Sequence, residues 1–224
     1  ESKEYTKMES RHDTFRKSET QIPYRAILCR YSSEIILKSS QYQKKILKIL
    51  RDTIVQACKS FSGDVHLQSI LPLSGRLICF FPQTEVISAI PIFQKIIGIE
   101  SFSPVLSSNR NIPEIAKHII EFFPQKSDIV KNTIQYHLSL HSAVEYPKDK
   151  PQFLKKLQQQ LQQQMELQNI LIEFRHSAPL HIEIEIRQKG VYLFTHRIDT
   201  LLGGFPVETK NAQLMPWTAR PEDL

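Results

Sequence analysis

Two hydrophobic periodicities alternate along residues 24–105, and their order constrains the fold of this chain more than any other feature. Strict alternation of apolar and polar residues is typical of half-buried strands, and apolar residues spaced three and four apart are typical of amphipathic helices. These patterns predict strands over 24–31, 65–71, 76–82 and 99–105 and helices over about 40–63 and 84–97. The segment is therefore expected to fold with the order β-α-β-β-α-β.

This order is that of a ferredoxin-like domain. A polar connector follows at 106–111, and Asn111 ahead of Pro113 is a typical helix start. Beyond it, the same periodicities predict helices over 112–123 and 153–168 and strands over 133–141, 170–174, 180–187 and 191–198. The expected fold class is therefore α+β, with a ferredoxin-like domain followed by an α/β domain.

The predicted boundaries divide the 224 residues into four segments. Residues 1–22 are polar and without periodicity, as expected of a disordered tail. The ferredoxin-like domain is predicted at 23–106, the α/β domain at 107–209, and a C-terminal tail or linker at 210–224. Two small domains suit a chain of this length, because domains commonly contain about 100–150 residues.

The amino-acid composition predicts the cellular compartment and the state of the cysteines. No apolar run approaches the roughly 20 residues of a membrane-spanning helix, and the first 21 residues contain no apolar core typical of a signal peptide. The chain is therefore expected to be cytoplasmic. Its three cysteines, Cys29, Cys58 and Cys79, are far apart and set among apolar residues, which predicts buried free thiols rather than a disulfide framework or a metal clamp.

The formal net charge of +6 is unevenly distributed along the chain. The first 22 residues carry five basic and five acidic side chains, and residues 107–224 carry fourteen and thirteen. Residues 23–106 carry ten basic side chains against five acidic ones. The excess of positive charge therefore lies in the first folded segment, and it favours an anionic partner.

Four segments resemble the front half of one enzyme family. SEIILKSSQYQKK (33–45) resembles a GEIxLKGxNRxxF signature, GRL (75–77) resembles a GRI strand, and FQKIIGIESFSPV (93–105) resembles FxxVFGIxSFSPV. Residues 181–209 resemble the end of a THUMP domain, whose last strands lead into a G-x-GGLPxGT loop. Together these motifs resemble the tRNA 4-thiouridine synthetase family over residues 24–209, which implies that the second domain is a THUMP domain.

The sequence departs from that family in three places. The family's SGGxDS loop, which cradles the phosphates of ATP, does not occur in these 224 residues. The strand usually written FxVRxKR is IQYHLSLH at 134–141, with histidines where the family has cations. The Asn-Arg pair after the LKG motif is Gln41-Tyr42. The resemblance therefore implies a unit that binds RNA and does not itself carry ATP chemistry.

Cations that replace counterions along a phosphate backbone are the groups that RNA binding needs. The best array is the basic face of the first predicted helix with its neighbours, namely Lys38, Lys44, Lys45, Lys48 and Arg51. Arg30 and Arg76 are candidates for the same surface. The resemblance adds the connector residues Asn109 and Arg110 and the loop residues Gly203 and Gly204, which would lie beside a bound tRNA acceptor end. The alternative is that the lysines form an ordinary solvated helix face.

The histidines do not predict a metal site or a nucleophile with its base. His137 and His141 are four apart, but the alternation around them indicates a strand, and no third metal ligand stands near. His176 and His181 flank a predicted loop and have no evident partner in the sequence. We therefore expect no bound metal.

Carboxylates give no stronger signal of catalysis. Glu183 and Glu185 alternate on a predicted strand, and we interpret them as a solvated strand face. With no ATP-binding loop and no convincing catalytic constellation, the chain is expected not to be an enzyme and to need no cofactor. It could still be the substrate-binding part of a larger tRNA sulfurtransferase.

The resulting hypothesis is a tRNA-binding module that presents the acceptor region of tRNA to a separate or truncated enzyme of 4-thiouridine formation. Its partners would be tRNA and an ATP-dependent modification enzyme, without a membrane, and its oligomeric state stays open. One alternative is a degenerate THUMP protein that acts as a protein-interaction subunit, which the near-neutral second domain favours. Another is an adaptor for a different tRNA modification, such as cytidine acetylation.

Overall fold

A computed structural model describes residues 22–61, 65–124 and 133–200 of the chain. The predicted C-terminal tail, nearly all of the predicted N-terminal tail and the Gly203-Gly204 loop lie outside these residues. The elements are, in chain order, β1 (Ala26–Tyr31), α1 (Ser33–Ile36), α2 (Ser40–Ser60), β2 (Ser69–Leu73), β3 (Arg76–Phe80), a 3-10 turn (Gln83–Glu85), α3 (Val86–Phe93), β4 (Ile99–Ser108), α4 (Ile112–Ile120), β5 (Thr133–Ser142), α5 (Lys150–Glu166), β6 (Leu171–Phe174), β7 (Leu180–Arg187), β8 (Gly190–Phe194) and β9 (Ile198–Asp199).

The strands form one continuous sheet in the order β2-β3-β1-β4-β8-β7-β5-β6, and β9 adds to β4. β5 pairs in parallel with β6 and β7, and the other pairs are antiparallel. β4 pairs with β1 up to Val105 and with β8 from Leu106 onward. β4 therefore belongs to both halves of the sheet, the first half with β1, β2 and β3 and the second half with β5, β6, β7 and β8. The division into two domains stays a prediction.

All the helices pack on one face of this sheet. α2 buries Ile46, Leu50, Ile54 and Cys58 at a regular spacing of four residues. α5 repeats that spacing with Phe153, Leu157, Leu161 and Met165. These side chains join one apolar core with the inward-facing strand residues of both halves, as does each of the other helices. The expected α+β class is confirmed, and the second sheet face carries no helix within the described residues.

Several predicted boundaries differ from the observed ones. The strand predicted at 65–71 begins only at Ser69, and the helix predicted at 84–97 begins as a 3-10 turn and ends at Phe93. The prediction of a single strand at 191–198 is wrong. β8 ends at Phe194, and Ile198–Asp199 form a separate strand, β9, that pairs with β4. The short helix α1 had no counterpart in the prediction.

The cysteine prediction is confirmed, since Cys29, Cys58 and Cys79 are all buried free thiols. Burial raises the pKa of the Cys58 thiol to about 11, so it remains protonated at neutral pH. Across the three described ranges, no helix combines the length and the apolar character that crossing a bilayer requires.

Candidate functional site

The side of the sheet on which none of the described helices packs, which we call the open face, holds a polar cleft where the two halves meet. The cleft has a volume of about 480 Å³. It is lined from β1, β3, β5, β7 and β8, from the start of α5 and from the segment after β8, by Arg30, Arg76, His141, Ser142, Ala143, Lys150, Glu183, Glu185, Arg187, Phe194 and Arg197. Alternation along β1, β3, β7 and β8 explains the members that these strands contribute, because apolar neighbours such as Ile184 and Ile186 point to the helices instead.

Glu185 is the centre of the cleft and is only 4% exposed. Its Oε1 accepts hydrogen bonds from Arg76 Nε at 3.1 Å and from Arg187 Nε at 2.7 Å, and Arg187 Nη2 also contacts it. Arg30 Nη2 lies 3.7 Å from Glu185 Oε2. The interpretation of Glu185 as part of a solvated strand face is therefore wrong, because it is a buried carboxylate held by three guanidinium groups.

These contacts join the two halves of the sheet. Arg30 and Arg76 belong to β1 and β3, whereas Glu185 and Arg187 belong to β7. Arg187 Nη1 also donates to the carbonyl of Ser74, in the turn between β2 and β3, at 3.2 Å. The cleft is therefore lined by both halves, and a network of ion pairs and hydrogen bonds holds Arg30, Arg76 and Arg187 in place.

Positive charge exceeds negative charge in this network. Burial lowers the pKa of Arg30 to about 10, Glu185 opposes that shift, and Arg76 and Arg197 lower the pKa further. Burial also lowers the pKa of Arg76, against the effect of Glu185. Both arginines stay protonated at neutral pH, and an anion in the cleft would relieve their mutual repulsion.

The rim of the cleft is more accessible than its floor. Arg197 is about half exposed and lies 3.5 Å from Glu100 and 3.7 Å from Asp199. Lys150, the first residue of α5, is exposed at the same rim. The lining as a whole holds four arginines and one lysine against two glutamates. Guanidinium groups fixed in this way match the geometry of phosphate oxygens.

The structure separates the cationic residues that the sequence grouped together. Lys44, Lys45, Lys48 and Arg51 are exposed along α2, which packs on the helical side of the sheet. Arg30 and Arg76 instead lie in the cleft on the open face. The prediction that Arg30 and Arg76 share a surface with the cations of α2 is therefore wrong, because alternation along β1 and β3 turns the two arginines away from that helix.

Lys38 lies between α1 and α2 and is exposed. Its carbonyl accepts a hydrogen bond at 2.8 Å from Gln43 Nε2, which also donates to the carbonyl of Ile36 at 2.7 Å. These bonds brace the backbone at the start of α2 beside the lysines of that helix. Lys38 can therefore share a surface with them, and its part in RNA binding stays a prediction.

Arg110 makes structural contacts within the second half of the sheet. Its Nη2 donates to the carbonyls of Arg187 and Gln188 at 3.0 and 3.1 Å, and its guanidinium lies 5.5 Å from the Tyr146 ring centroid. The Asn109 side-chain oxygen accepts the backbone N–H of residue 111 at 2.8 Å. Arg110 therefore stabilises the β7–β8 turn and Asn109 the connector, and their contact with RNA stays a prediction.

The histidines have partners that the sequence did not indicate. β5 and β7 pair in parallel with His137 opposite His181, and His137 Nδ1 lies 3.2 Å from His181 Nε2. The expectation that His181 has no partner is therefore wrong. Alternation placed His137, Ser139 and His141 on one face, but only strand pairing brings β7 beside them. Among the described residues, no set of three or more histidine, cysteine or acidic side chains is arranged to hold a metal ion.

Comparison with known proteins adds a sequence relative. No protein-family model matches the chain. The chain is 24% identical over 190 residues to a probable tRNA sulfurtransferase of Methanocaldococcus jannaschii, a match that covers 84% of the chain and 48% of the relative. The chain thus spans about half the length of this curated relative.

Two solved structures share the fold. A crystal structure of a Pyrococcus horikoshii protein superposes with a TM-score of 0.64 at 22% identity, over 83% of this chain and 58% of that one. A 4-thiouridine synthetase, solved in complex with RNA and ATP, superposes with a TM-score of 0.57 at 20% identity, over 84% of this chain and 44% of that one. The chain therefore has the α+β fold of these structures and sequence similarity to a tRNA sulfurtransferase.

Proposed function

We propose that the chain binds the acceptor region of tRNA and presents it to an ATP-dependent domain that forms 4-thiouridine. The observation that carries this proposal is the cleft, where arginines from both halves face one buried carboxylate and leave an excess of positive charge. The similarity to a tRNA sulfurtransferase, and a fold shared with a synthetase solved with RNA, support the choice of tRNA as the anion.

In this proposal the cleft receives phosphates of the acceptor end. Its preorganised guanidinium groups lose little conformational freedom when they bind phosphate oxygens. The exposed lysines of α2 form a second cationic surface on the other side of the sheet, which could contact a different part of the same RNA. The ATP-dependent step is assigned to a catalytic domain outside the described residues.

The test is a titration of an acceptor-stem RNA hairpin, with and without its 3′ single-stranded end, at about 50 mM and about 200 mM salt. Binding that weakens with salt and with loss of the single strand is expected. Three variants each remove two positive charges from exposed side chains: Lys150→Gln with Arg197→Gln at the cleft, Lys44→Gln with Lys45→Gln on α2, and Lys155→Gln with Lys156→Gln on α5 as the matched control.

The cleft variant should weaken binding by about tenfold or more and reduce the salt slope by about 1 to 2. The α5 control should bind almost as the wild type does. The α2 variant shows whether the second cationic surface contributes. If the cleft variant and the control bind equally well, the cleft is not the phosphate site. If the wild type binds neither hairpin, tRNA binding by this chain is excluded and the protein-interaction alternative gains support.

A further inference from the structure

Four aromatic rings gather on and beside the open face, and we call them the ring cluster: His137, Phe174, His176 and His181. The centroid of the His137 ring lies 5.5 Å from that of Phe174, 5.2 Å from that of His176 and 4.5 Å from that of His181. The rings of Phe174 and His176 are 5.5 Å apart. The three residues around His137 are exposed, so a ligand can reach their rings from solvent.

The ring cluster also has hydrogen-bonding capacity to spare. Ser139 Oγ lies 2.7 Å from His181 Nε2, and His137 Nδ1 lies 3.2 Å from the same atom. Each imidazole nitrogen carries either one hydrogen or one lone pair, so His181 Nε2 makes one strong hydrogen bond at a time. Either Ser139 or His137 is therefore left able to bond to a ligand.

The charge of this surface suits a neutral ring better than a phosphate group. Burial lowers the pKa of His137, and the neighbouring His181 and His176 lower it further, so its imidazole is neutral at pH 7. The Glu183 Oε1 atom lies 4.0 Å from His181 Nε2 and adds negative charge beside the rings, whereas in the cleft four arginines and one lysine outnumber the two glutamates. Accessible π faces beside a spare hydrogen-bonding group are what an unpaired nucleobase requires.

The ring cluster is continuous with the cleft. Glu183 and His141 both line the cleft, and His141 Nε2 lies 3.1 Å from Glu183 Oε2. The other oxygen of the same carboxylate is the one near His181. A nucleotide chain with phosphates among the arginines of the cleft can therefore place a neighbouring base at the rings, because the Glu183 carboxylate borders both sites.

We infer that the ring cluster stacks an unpaired nucleobase of the RNA whose phosphates occupy the cleft. The inference rests on the proposed function, which it deepens by assigning base contact and phosphate contact to different side chains. Phe174 and His176 would supply the stacking surface, and Ser139 or His137 would bond to the edge of the base. Aromatic stacking of this kind tolerates different bases, because every base has a π face.

The test measures the affinity of the acceptor hairpin when each base of its 3′ single strand, one at a time, is replaced by an abasic residue. The wild-type chain should lose affinity on the order of tenfold at one position. The variant Phe174→Leu keeps an apolar side chain at the end of β6 but removes the π face. It should bind the intact hairpin about tenfold more weakly and lose nothing further when that base is removed.

Phe61→Leu is the matched control, because Phe61 is 38% exposed, against 36% for Phe174, and follows α2 on the helical side of the sheet. It should behave as the wild type does. Equal binding of the abasic hairpin by the wild type and Phe174→Leu would show that this variant is folded.

Different results would overturn the stacking site and the proposed function. If the wild type binds the hairpin with salt-dependent affinity, but base removal costs the wild type and Phe174→Leu the same at every position, the ring cluster does not stack a base and the proposed function stands. If the wild type does not bind the hairpin at all, both the proposed function and the stacking site are overturned.

Discussion

Glu185 shows how strongly a single residue depends on its surroundings in this protein. Burial of its carboxylate acts to raise the pKa, but the charges of Arg76, Arg187 and Arg30 outweigh burial and hold the pKa below its usual value. The carboxylate is therefore ionised at neutral pH. The carboxylate also holds in place the three guanidinium groups that would contact a bound anion. Its contribution to binding is therefore to position these groups, because its own negative charge does not attract a phosphate.

Replacing this carboxylate tests its contribution to stability. Glu185→Gln should lower the free energy of unfolding by about 3 kcal/mol at neutral pH, because three arginines lose their buried counter-charge. Glu183→Gln is the matched control, two residues away on the same strand face but one-third exposed, and should cost less than about 0.5 kcal/mol. Urea unfolding of the three proteins measures both differences.

The pH dependence of the difference in unfolding free energy between wild type and Glu185→Gln is a second test of these ion pairs. A carboxylate with a lowered native pKa stabilises the fold above its unfolded pKa, about 4.3 for glutamate, and this contribution is lost as pH falls through the native pKa. The difference between wild type and Glu185→Gln should therefore be constant from neutral pH to about pH 5 and shrink below about pH 4. A difference that grows on acidification would contradict the assigned ion pairs.

Among the elements, α5 shows what local sequence chemistry can and cannot fix. Its buried stripe of Phe153, Leu157, Leu161 and Met165 matches the predicted helical period, despite the glutamines between them. Its start lies three residues before the predicted one. Asp149 accepts the backbone N–H of Gln152 at 2.8 Å, which satisfies one of the unpaired N–H groups of the first turn. An N-cap aspartate ahead of a proline is a start signal in the sequence that the apolar period alone misses.

Removal of this cap should destabilise α5 measurably. Asp149→Ala is expected to lower the free energy of unfolding by about 1 kcal/mol, because the Gln152 N–H loses its acceptor. Asp149→Asn keeps a side-chain oxygen in the same place and should retain most of the wild-type stability. Thermal unfolding of both variants distinguishes them, and equal losses would show that the charge, rather than the hydrogen bond, matters at this position.

At the scale of the whole molecule, the two halves are joined by backbone as well as by side chains. β4 pairs with β1 and then with β8, and β9 returns from the second half to pair with Ser101 and Phe102. One apolar core runs under both halves. The cleft network adds the contacts of Glu185 and Arg187 with the first half. These links make independent unfolding of either half unfavourable.

We therefore expect the described halves to unfold in one cooperative transition. Hydrogen exchange followed by mass spectrometry should give slow-exchanging peptides of β1 and of β7 the same free energy of opening. Glu185→Gln should lower both values by the same amount, since its partners lie in both halves. Separate opening energies, or a loss confined to one half, would show instead that the two predicted domains are energetically independent.

The sequence by itself determined the order of most elements and the buried side of each. Periods of two and of about four residues report which side chains face the core, since that information is local. It also indicated Arg30 and Arg76 as candidate ligands of RNA. It did not separate them from the lysines of α2, because their sequence spacing does not say on which side of the finished sheet each side chain lies.

Only the tertiary structure decided which strands become neighbours, and with that the composition of the cleft and of the ring cluster. A charged residue at an alternating strand position looks the same in sequence whether its face meets solvent or other charges. Glu185 became a buried ion-pair centre because β7 lies near β1 and β3 across β8 and β4. His181 met His137 because β7 pairs with β5. Such long-range pairings depend on the free energy of the whole sheet and core, which no local window of sequence contains.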